Sequence, residues 1–401
     1  MIVVTAALAL AAIVLLLPSV SDFISVVRAA RRRAVKRAPQ SAQPPHLLFL
    51  VPAHNEELLI SSCLRALLEQ RYPVDRRTIA VIADNCTDAT VELTRRAGVL
   101  CLERQDQALT GKPYALAWAL EQLDFVRCDA VVIVDADTVV APDFAAALAA
   151  GAPLRQKVLQ PFNGVANPTD NALTRMASVL STVTHRFTFG LKNRAGLNVP
   201  LSAGMCLGTD VLNATGWRAF STCEDWEMYA LLTEAGVRIE SMPRACIFAQ
   251  EASTLRQSAS QRRRWTAGKL TVLLRHAGSL VRSKTISLAQ KVDCLAELSA
   301  FGPAVQLAIV VLIAALVLLL RPPGAAWIAP ALAVPLVRWT IYAVAAVARD
   351  PEPGRALLAF AFLPLYTVWR AGAALAALTR LGEQRWIRTE RAAESGSRAP
   401  S

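Results

Sequence analysis

Where the apolar residues lie constrains this chain before anything else does. Residues 1–20 carry no charge, and Arg28, Arg31, Arg32, Arg33, Lys36 and Arg37 follow them. About 20 apolar residues are enough to cross a bilayer as a helix. A secretory leader places its basic residues before the apolar run. Here they come after it, with no small-residue cleavage site, so the expectation is a retained transmembrane anchor over residues 1–20. Basic flanks stay inside, which puts residue 28 onward in the cytoplasm. Residues 21–45 read as a basic juxtamembrane linker, its stretch 38–45 rich in Pro and Gln. The apolar composition returns at 298–320 and 325–348, read as two spans despite Arg338 within the second. Residues 355–378 are apolar again but hold Pro364, Trp369 and Arg370, and a basic tail, 379–401, follows. With that tail in the cytoplasm this segment does not cross, so it reads as an interfacial or re-entrant segment in preference to a fourth span.

Residues 46–285 have the mixed composition of a soluble domain. A chain of 401 residues that is 54% hydrophobic and 18% charged is too apolar for an ordinary soluble enzyme. Its formal charge of +12 would suit nucleic acid, but much of the excess flanks the apolar segments, where anionic headgroups attract it. The expected partner is therefore membrane lipid and not nucleic acid. The eight cysteines form no CxxC pair and stand at no zinc spacing from a histidine, so reduced side chains are expected.

The soluble region opens with strands alternating with helices. Residues 46–51 (HLLFLV), 78–82 and 130–134 read as strands, and 57–70, a segment through Arg96, and 114–123 as helices. That alternation predicts an α/β domain with a Rossmann-like, mostly parallel sheet and ligands at the carboxyl ends of its strands. Polar residues collect at those ends: PAHNEE (52–57), ADNCTD (83–88) and DAD (135–137) each follow a strand. Taken singly, Asn55 and Asp88 could cap helices and the acids could simply be solvated. Three acidic strand ends together with Lys112 in a Gly-Lys-Pro turn instead predict a shared site for a cation and a phosphate. Two carboxylates one residue apart offer hard oxygens to Mg²⁺ or Mn²⁺, which can hold a substrate diphosphate in their open positions. No GxxxxGK[ST] occurs, and no GxGxxG follows a strand, so neither a P-loop nucleotidase nor a nicotinamide enzyme is supported.

In this order the segments resemble the family 2 glycosyltransferases, inverting enzymes of GT-A fold. The resemblance runs from residue 47 to about 270, through VPAHNEE, IADNCTD, GKPYALAWAL, VDAD, the 202–217 segment, CEDWEM (223–228) and QRRRW (261–265). The last has the Gln-x-x-Arg-Trp spacing of the membrane-bound members, among them the polysaccharide synthases and the ceramide glucosyltransferases. The tail motif WIRTER (386–391) resembles their cytoplasmic Trp-x-x-Thr-x-Arg segment. The resemblance implies that Pro52, Ala53, Glu56, Asp84, Lys112 and Asp135 bind the nucleotide sugar, with Asp84 meeting the base. It implies Asp135 and Asp137 as metal residues, Asp225 as the catalytic base with Glu224 beside it, and Gln261, Arg264 and Trp265 at the acceptor and diphosphate side. Cys223 stands where the family usually has Thr, and Ala83 where it usually has Asp. The mechanism needs neither missing group.

Chemistry asks for the same parts. Displacing a nucleoside diphosphate from an anomeric carbon requires neutralised charge on the leaving group and a base for the attacking hydroxyl. The expectation is therefore an inverting transferase of the inner membrane with a cytoplasmic catalytic domain. It would move sugar from a UDP-sugar to a lipid or lipid-linked acceptor and form a β-linkage. A processive synthase of an extracellular β-linked polysaccharide is the alternative, disfavoured because three or four spans hardly enclose a polymer channel. An inactive membrane adaptor is the reading from a different class, and it would lack Asp137 or Asp225. The sugar, the acceptor and the oligomeric state are not encoded in these motifs.

Overall fold

The computed structural model describes residues 2–32, 43–300, 302–323 and 325–379. The chain divides into two compact units. Among the described residues, one is a sheet unit formed by 43–167 and 198–252; the other is a helical unit formed by the N-terminal helix, 168–197 and 253–379.

The sheet unit holds eight strands: β1 Leu47–Ala53, β2 Arg77–Asp84, β3 Leu100–Arg104, β4 Ala130–Ile133, β5 Thr138–Val140, β6 Val158–Val165, β7 Cys206–Gly208 and β8 Ile239–Ala249. Their order is β3-β2-β1-β4-β7-β6-β8-β5. The first four are parallel, so their carboxyl ends share one edge. β7 runs antiparallel to β4 and β6, β5 runs antiparallel to β8, and β6 and β8 are parallel. The sheet is thus mixed, with its parallel half at the segments where strands and helices alternate in the sequence.

Central position explains composition. β1 (LLFLVPA) and β4 (AVVI) are nearly continuous apolar runs, buried on both faces as strands inside a covered parallel sheet must be. The Ile60–Leu68 helix lays Ile60, Cys63, Leu64 and Leu67 onto that sheet, the i, i+3, i+4, i+7 stripe of an amphipathic helix. Leu64 is 1% exposed, and Leu64→Ala at such a site costs about 2–5 kcal/mol.

In the helical unit the first helix runs Ile2–Arg31 and does not stop at residue 20 as the anchor reading expects. Nothing in 21–31 breaks a helix, and the extra turns find polar partners. Ser21 Oγ donates to Asp293 at 2.6 Å, and Asp22 accepts from Arg338 at 2.6 Å and from the Tyr342 hydroxyl at 2.8 Å. The same contacts show how Arg338 is accommodated within an apolar helix: it is ion-paired and lies over the Trp339 and Tyr342 rings. Among the described residues four helical segments are long and apolar enough to cross a membrane: Val3–Arg31, Pro303–Leu320, Ala325–Val347 and Pro353–Leu378. The last covers the segment read from sequence as interfacial; it is a helical run with a short 3₁₀ stretch at Phe360–Phe362. The tail motif at 386–391 lies outside the described residues.

Candidate active site

The site forms at the common edge of β1, β2, β3 and β4, where each strand delivers one piece of polar chemistry. β1 ends on Pro52 and Ala53, followed by Asn55 in the left-handed region at φ 54°. Asn tolerates that conformation better than most residues. Asn55 does not cap a helix. Its Oδ1 accepts from the Thr87 backbone N–H at 2.7 Å and so ties the loop after β1 to the loop after β2. Asp88 does similar work: its carboxylate accepts from the backbone N–H groups of Thr90 at 3.0 Å and Glu57 at 3.1 Å. The Glu56 N–H donates to Thr90 Oγ1 at 2.8 Å, which fixes Glu56 at the same edge.

At the end of β2, Asp84 is 4% exposed and sits directly across the parallel ladder from Arg104 at the end of β3. Arg104 Nη1 donates to Asp84 Oδ1 at 2.7 Å, and Nη2 donates to Asp106 Oδ2 at 2.8 Å and to the Leu109 carbonyl at 2.7 Å. Asn85, at φ 51°, completes the brace: its Nδ2 donates to the Asp106 carbonyl at 2.9 Å, and its Oδ1 accepts from the Asp106 N–H at 2.9 Å. Sequence reasoning found Asp84 but missed Arg104, Asn85 and Asp106. Cys101 and Leu102 are only half-buried and Leu100 is exposed, so this edge strand lacks an apolar run; the available signal was the LCLER alternation.

The chemical centre lies further along the edge. Gly111, at φ 105°, turns the chain into the Lys112–Gln122 helix; an L side chain there would be strained. Lys112, in the first turn, donates from Nζ to Asp135 Oδ1 at 2.6 Å and is 2.7 Å from Glu224 Oε1. Asp135 follows β4, while Glu224 and Asp225 open the Glu224–Glu234 helix. Acidic residues are favourable in the first turn of a helix, and Asp225 Oδ1 accepts from the Trp226 N–H at 2.8 Å. Burial pushes the Asp225 carboxyl up to about 7, and the Glu224 charge adds to this; Lys112 and the Trp226 N–H only partly oppose them. For Lys112 burial alone would lower the ammonium, but Asp135 and Glu224 outweigh it, so the lysine stays charged.

Asp135 and Asp137 flank Ala136 on the turn between β4 and β5, both half-buried. Both charges reach Cys63, whose thiol is pushed well up, chiefly by burial. Among the described residues no three His, Cys, Asp or Glu side chains gather as a metal cage. Two carboxylates are still a fitting donor set for Mg²⁺ or Mn²⁺, which takes one or two protein carboxylates and completes its shell with water and substrate phosphate. Lys112 already neutralises one oxygen of Asp135, which makes Asp137 the stronger candidate for direct ligation. All eight cysteines are free thiols.

The structure therefore brings Pro52, Ala53, Glu56, Asp84, Lys112, Asp135, Asp137, Glu224 and Asp225 into the sheet unit. Gln261, Arg264 and Trp265 belong to the helical unit, on the Leu255–Arg282 helix. Their i, i+3, i+4 spacing puts them on one helix face, where Trp265 is 42% exposed.

The strand edge thus gathers carboxylates, a lysine and a half-buried aspartate on an α/β sheet, and the comparisons specify the class. The family model "Glycosyltransferase like family 2" matches residues 44–268, more than half of the chain. The chain belongs to that family. Glucomannan 4-beta-mannosyltransferase 7 of Arabidopsis thaliana is 25% identical over 268 residues, which are 63% of this chain and 47% of that protein. The probable glycosyltransferase YdaM of Bacillus subtilis (strain 168) is 25% identical over 257 residues, 60% of this chain and 59% of the relative. The chain thus spans about half the length of the curated relatives it matches. Among solved structures, the mannosyltransferase PcManGT from Pyrobaculum calidifontis, in complex with GDP-Man and Mn²⁺, superposes with a TM-score of 0.57 at 21% identity, covering 93% of this chain and 98% of that one. The fold is of the GT-A type.

Proposed function

We propose that the chain transfers a sugar, with inversion, from a UDP-sugar to a hydroxyl of a lipid or lipid-linked acceptor at the cytoplasmic face of the inner membrane. The observation that carries this reading is the placement of Asp225. Its carboxyl is pushed up to about 7, within a cluster where Lys112 bridges Asp135 and Glu224. A base poised near neutrality can take a hydroxyl proton as the nucleophile attacks. The acceptor oxygen bonds to the anomeric carbon, the bond from that carbon to the diphosphate breaks, and the proton passes to Asp225. Attack opposite the leaving group turns an α-linked donor into a β-linked product. Glu224 holds Lys112 in place beside the base. Lys112 and the positive end of its helix suit the diphosphate.

Pro52, Ala53, Glu56 and Asp84 are the nucleotide-side residues in this reading, with Arg104 holding the Asp84 carboxylate still. Asp135 and Asp137 would hold Mg²⁺ or Mn²⁺, which when bound supplies charge neutralisation to the leaving diphosphate. Gln261, Arg264 and Trp265 are assigned to the acceptor and diphosphate side, Trp265 offering its exposed ring to a sugar face.

A polymer product is the second reading, favoured by the Arabidopsis relatives named as glucomannan mannosyltransferases. One experiment separates the two. Membranes holding the full chain are incubated with Mn²⁺ and a panel of UDP-sugars plus GDP-mannose, and the lipid extract and polymer fraction are weighed by mass spectrometry. One hexose added to lipid supports the first reading, a polymer ladder the second, and no transfer from any donor refutes both.

A further inference from the structure

Arg370 lies on the Leu363–Leu378 helix, is 8% exposed, and has its Nη1 buried with no hydrogen-bond partner. One turn earlier on the same face, Thr367 is also 8% exposed, and its Oγ1 is likewise buried and unpartnered. Among the described residues no carboxylate answers Arg370. The titratable side chains near enough to act on it are Tyr366, one turn earlier on its own helix, and Arg262, another cation, from the Leu255–Arg282 helix that packs alongside. Arg262 is steadied over the Trp265 ring at 4.9 Å.

Two other arginines of the helical unit are ion-paired instead. Arg338 has Asp22 at 2.6 Å, and Arg175 has Asp350 at 3.0 Å and Glu352 beside it. An unanswered guanidinium within an apolar segment is costly, and such groups mark binding sites. A buried guanidinium group and a hydroxyl with no acid answering Arg370 among the described residues, and a second guanidinium group on the helix packed alongside, match an anion with several acceptor oxygens, and the planar fork of arginine suits phosphate above all.

We propose that Arg370, Thr367 and Arg262 form a binding site for the phosphate group of an anionic membrane phospholipid. The lipid is favoured over a free phosphate by the segment that carries the site. Residues 353–378 are long and apolar enough to cross a membrane, and Leu357, Leu358, Leu365, Val368 and Leu375 are 59–73% exposed along it, a surface for acyl chains. A headgroup phosphate arrives attached to such chains; a free one does not. The inference does not depend on the sugar-transfer reading.

The test uses the full chain, purified in detergent and titrated with short-chain phosphatidylglycerol or phosphatidylcholine, with bound lipid counted by native mass spectrometry. Wild type should retain one phosphatidylglycerol in preference to phosphatidylcholine. Arg370→Gln should weaken that binding about tenfold or more, because hydrogen bonds to charged groups are lost. Thr367→Val should weaken it about threefold to tenfold with little strain on folding, so the site remains testable if the Arg370 variant does not fold. Arg355→Ala removes an exposed positive charge elsewhere on the same segment and should leave binding unchanged. Equal binding in wild type, Arg370→Gln and Thr367→Val would overturn the proposal. So would a loss in Arg355→Ala as large as in Arg370→Gln, since that would indicate diffuse charge. Displacement of the lipid by inorganic pyrophosphate at matching concentration would overturn the assignment to a headgroup.

Discussion

Two clusters in this molecule are built from nearly the same inventory and differ in what surrounds them. In the sheet unit Lys112 holds Asp135 and Glu224, with Asp225 alongside. In the helical unit Lys192 holds Asp293 and Glu297, and Ser21 donates to Asp293. Lys112 and Asp135 are 22% and 33% exposed, whereas Lys192 and Asp293 are 1% and 0% exposed. In the sealed cluster these contacts tie together the N-terminal, 189–195 and 288–299 helices, while Asp293 Oδ2 stays buried without a hydrogen-bond partner. In the open cluster one lysine faces three carboxylates with access to solvent, so its groups can exchange partners for a ligand. Composition alone does not separate a site from a brace; access does.

The largest effect expected from breaking this contrast is at Asp225. Asp225→Asn keeps the oxygen that accepts from the Trp226 N–H, so the helix start should survive, but the proposed base is gone. Turnover should fall by about 10² or more while nucleotide binding persists, measured as product per minute and by nucleotide titration. Near wild-type turnover would remove Asp225 from the chemistry.

The sealed cluster should answer in stability. Lys192→Met leaves Asp293 and Glu297 buried without their cation, and loss of one partner from such a set costs about 3–5 kcal/mol. Thermal unfolding in detergent should register it as a large drop in Tm. A variant as stable as wild type would show that the cluster is not a brace.

Lys112 probes the open cluster more gently. Lys112→Gln should raise the donor KM about tenfold, as expected for losing charge-assisted hydrogen bonds. It should also shift the pH profile. With Asp225 titrating at about 7, turnover should rise with pH about tenfold per unit below that point and then level off. Lys112 is what holds the Asp225 carboxyl down, so its removal should move the rise to higher pH. Stability runs the other way. A carboxyl raised in the folded state favours folding at low pH, and that contribution is lost as pH climbs from about 4 through 7. An unmoved profile in Lys112→Gln would separate the two groups.

How much of this was legible in the sequence follows from the same physics. β1, β2 and β4 are central, so burial on both faces writes them as apolar runs, and the acids behind them stand out. β3 is an edge strand, and its role depends on Arg104 meeting Asp84 across the ladder, a pairing that register creates and composition does not announce. Asn55, which taken singly could cap a helix, is a loop tie because its backbone takes the left-handed turn. At the other end, apolar composition located the helices but not their polar anchors: Ser21 and Asp22 read as linker and lie within a continuous helix. Arg370 read as a charge within an apolar segment, and its burial comes from packing that composition does not announce.

The smallest effect marks the far end of the scale from sealed to open. One residue before Arg104, Glu103 turns outward and pairs with Arg95, and both side chains are well exposed, at 43% and 65%. Water screens such a pair, and ordering two long side chains offsets most of its attraction, so Arg95→Ala should cost no more than about 0.2–1 kcal/mol and less still in high salt. Asp84→Asn, across the ladder from the next residue, weakens the hold on a guanidinium that is 5% exposed, although Asp106 and the Leu109 carbonyl remain to Arg104. It should therefore cost about 1–3 kcal/mol, with little dependence on salt. Denaturant midpoints for the two variants at low and high salt test the gradient. Equal losses, or a salt-sensitive Asp84 variant, would mean that burial does not rank these pairs.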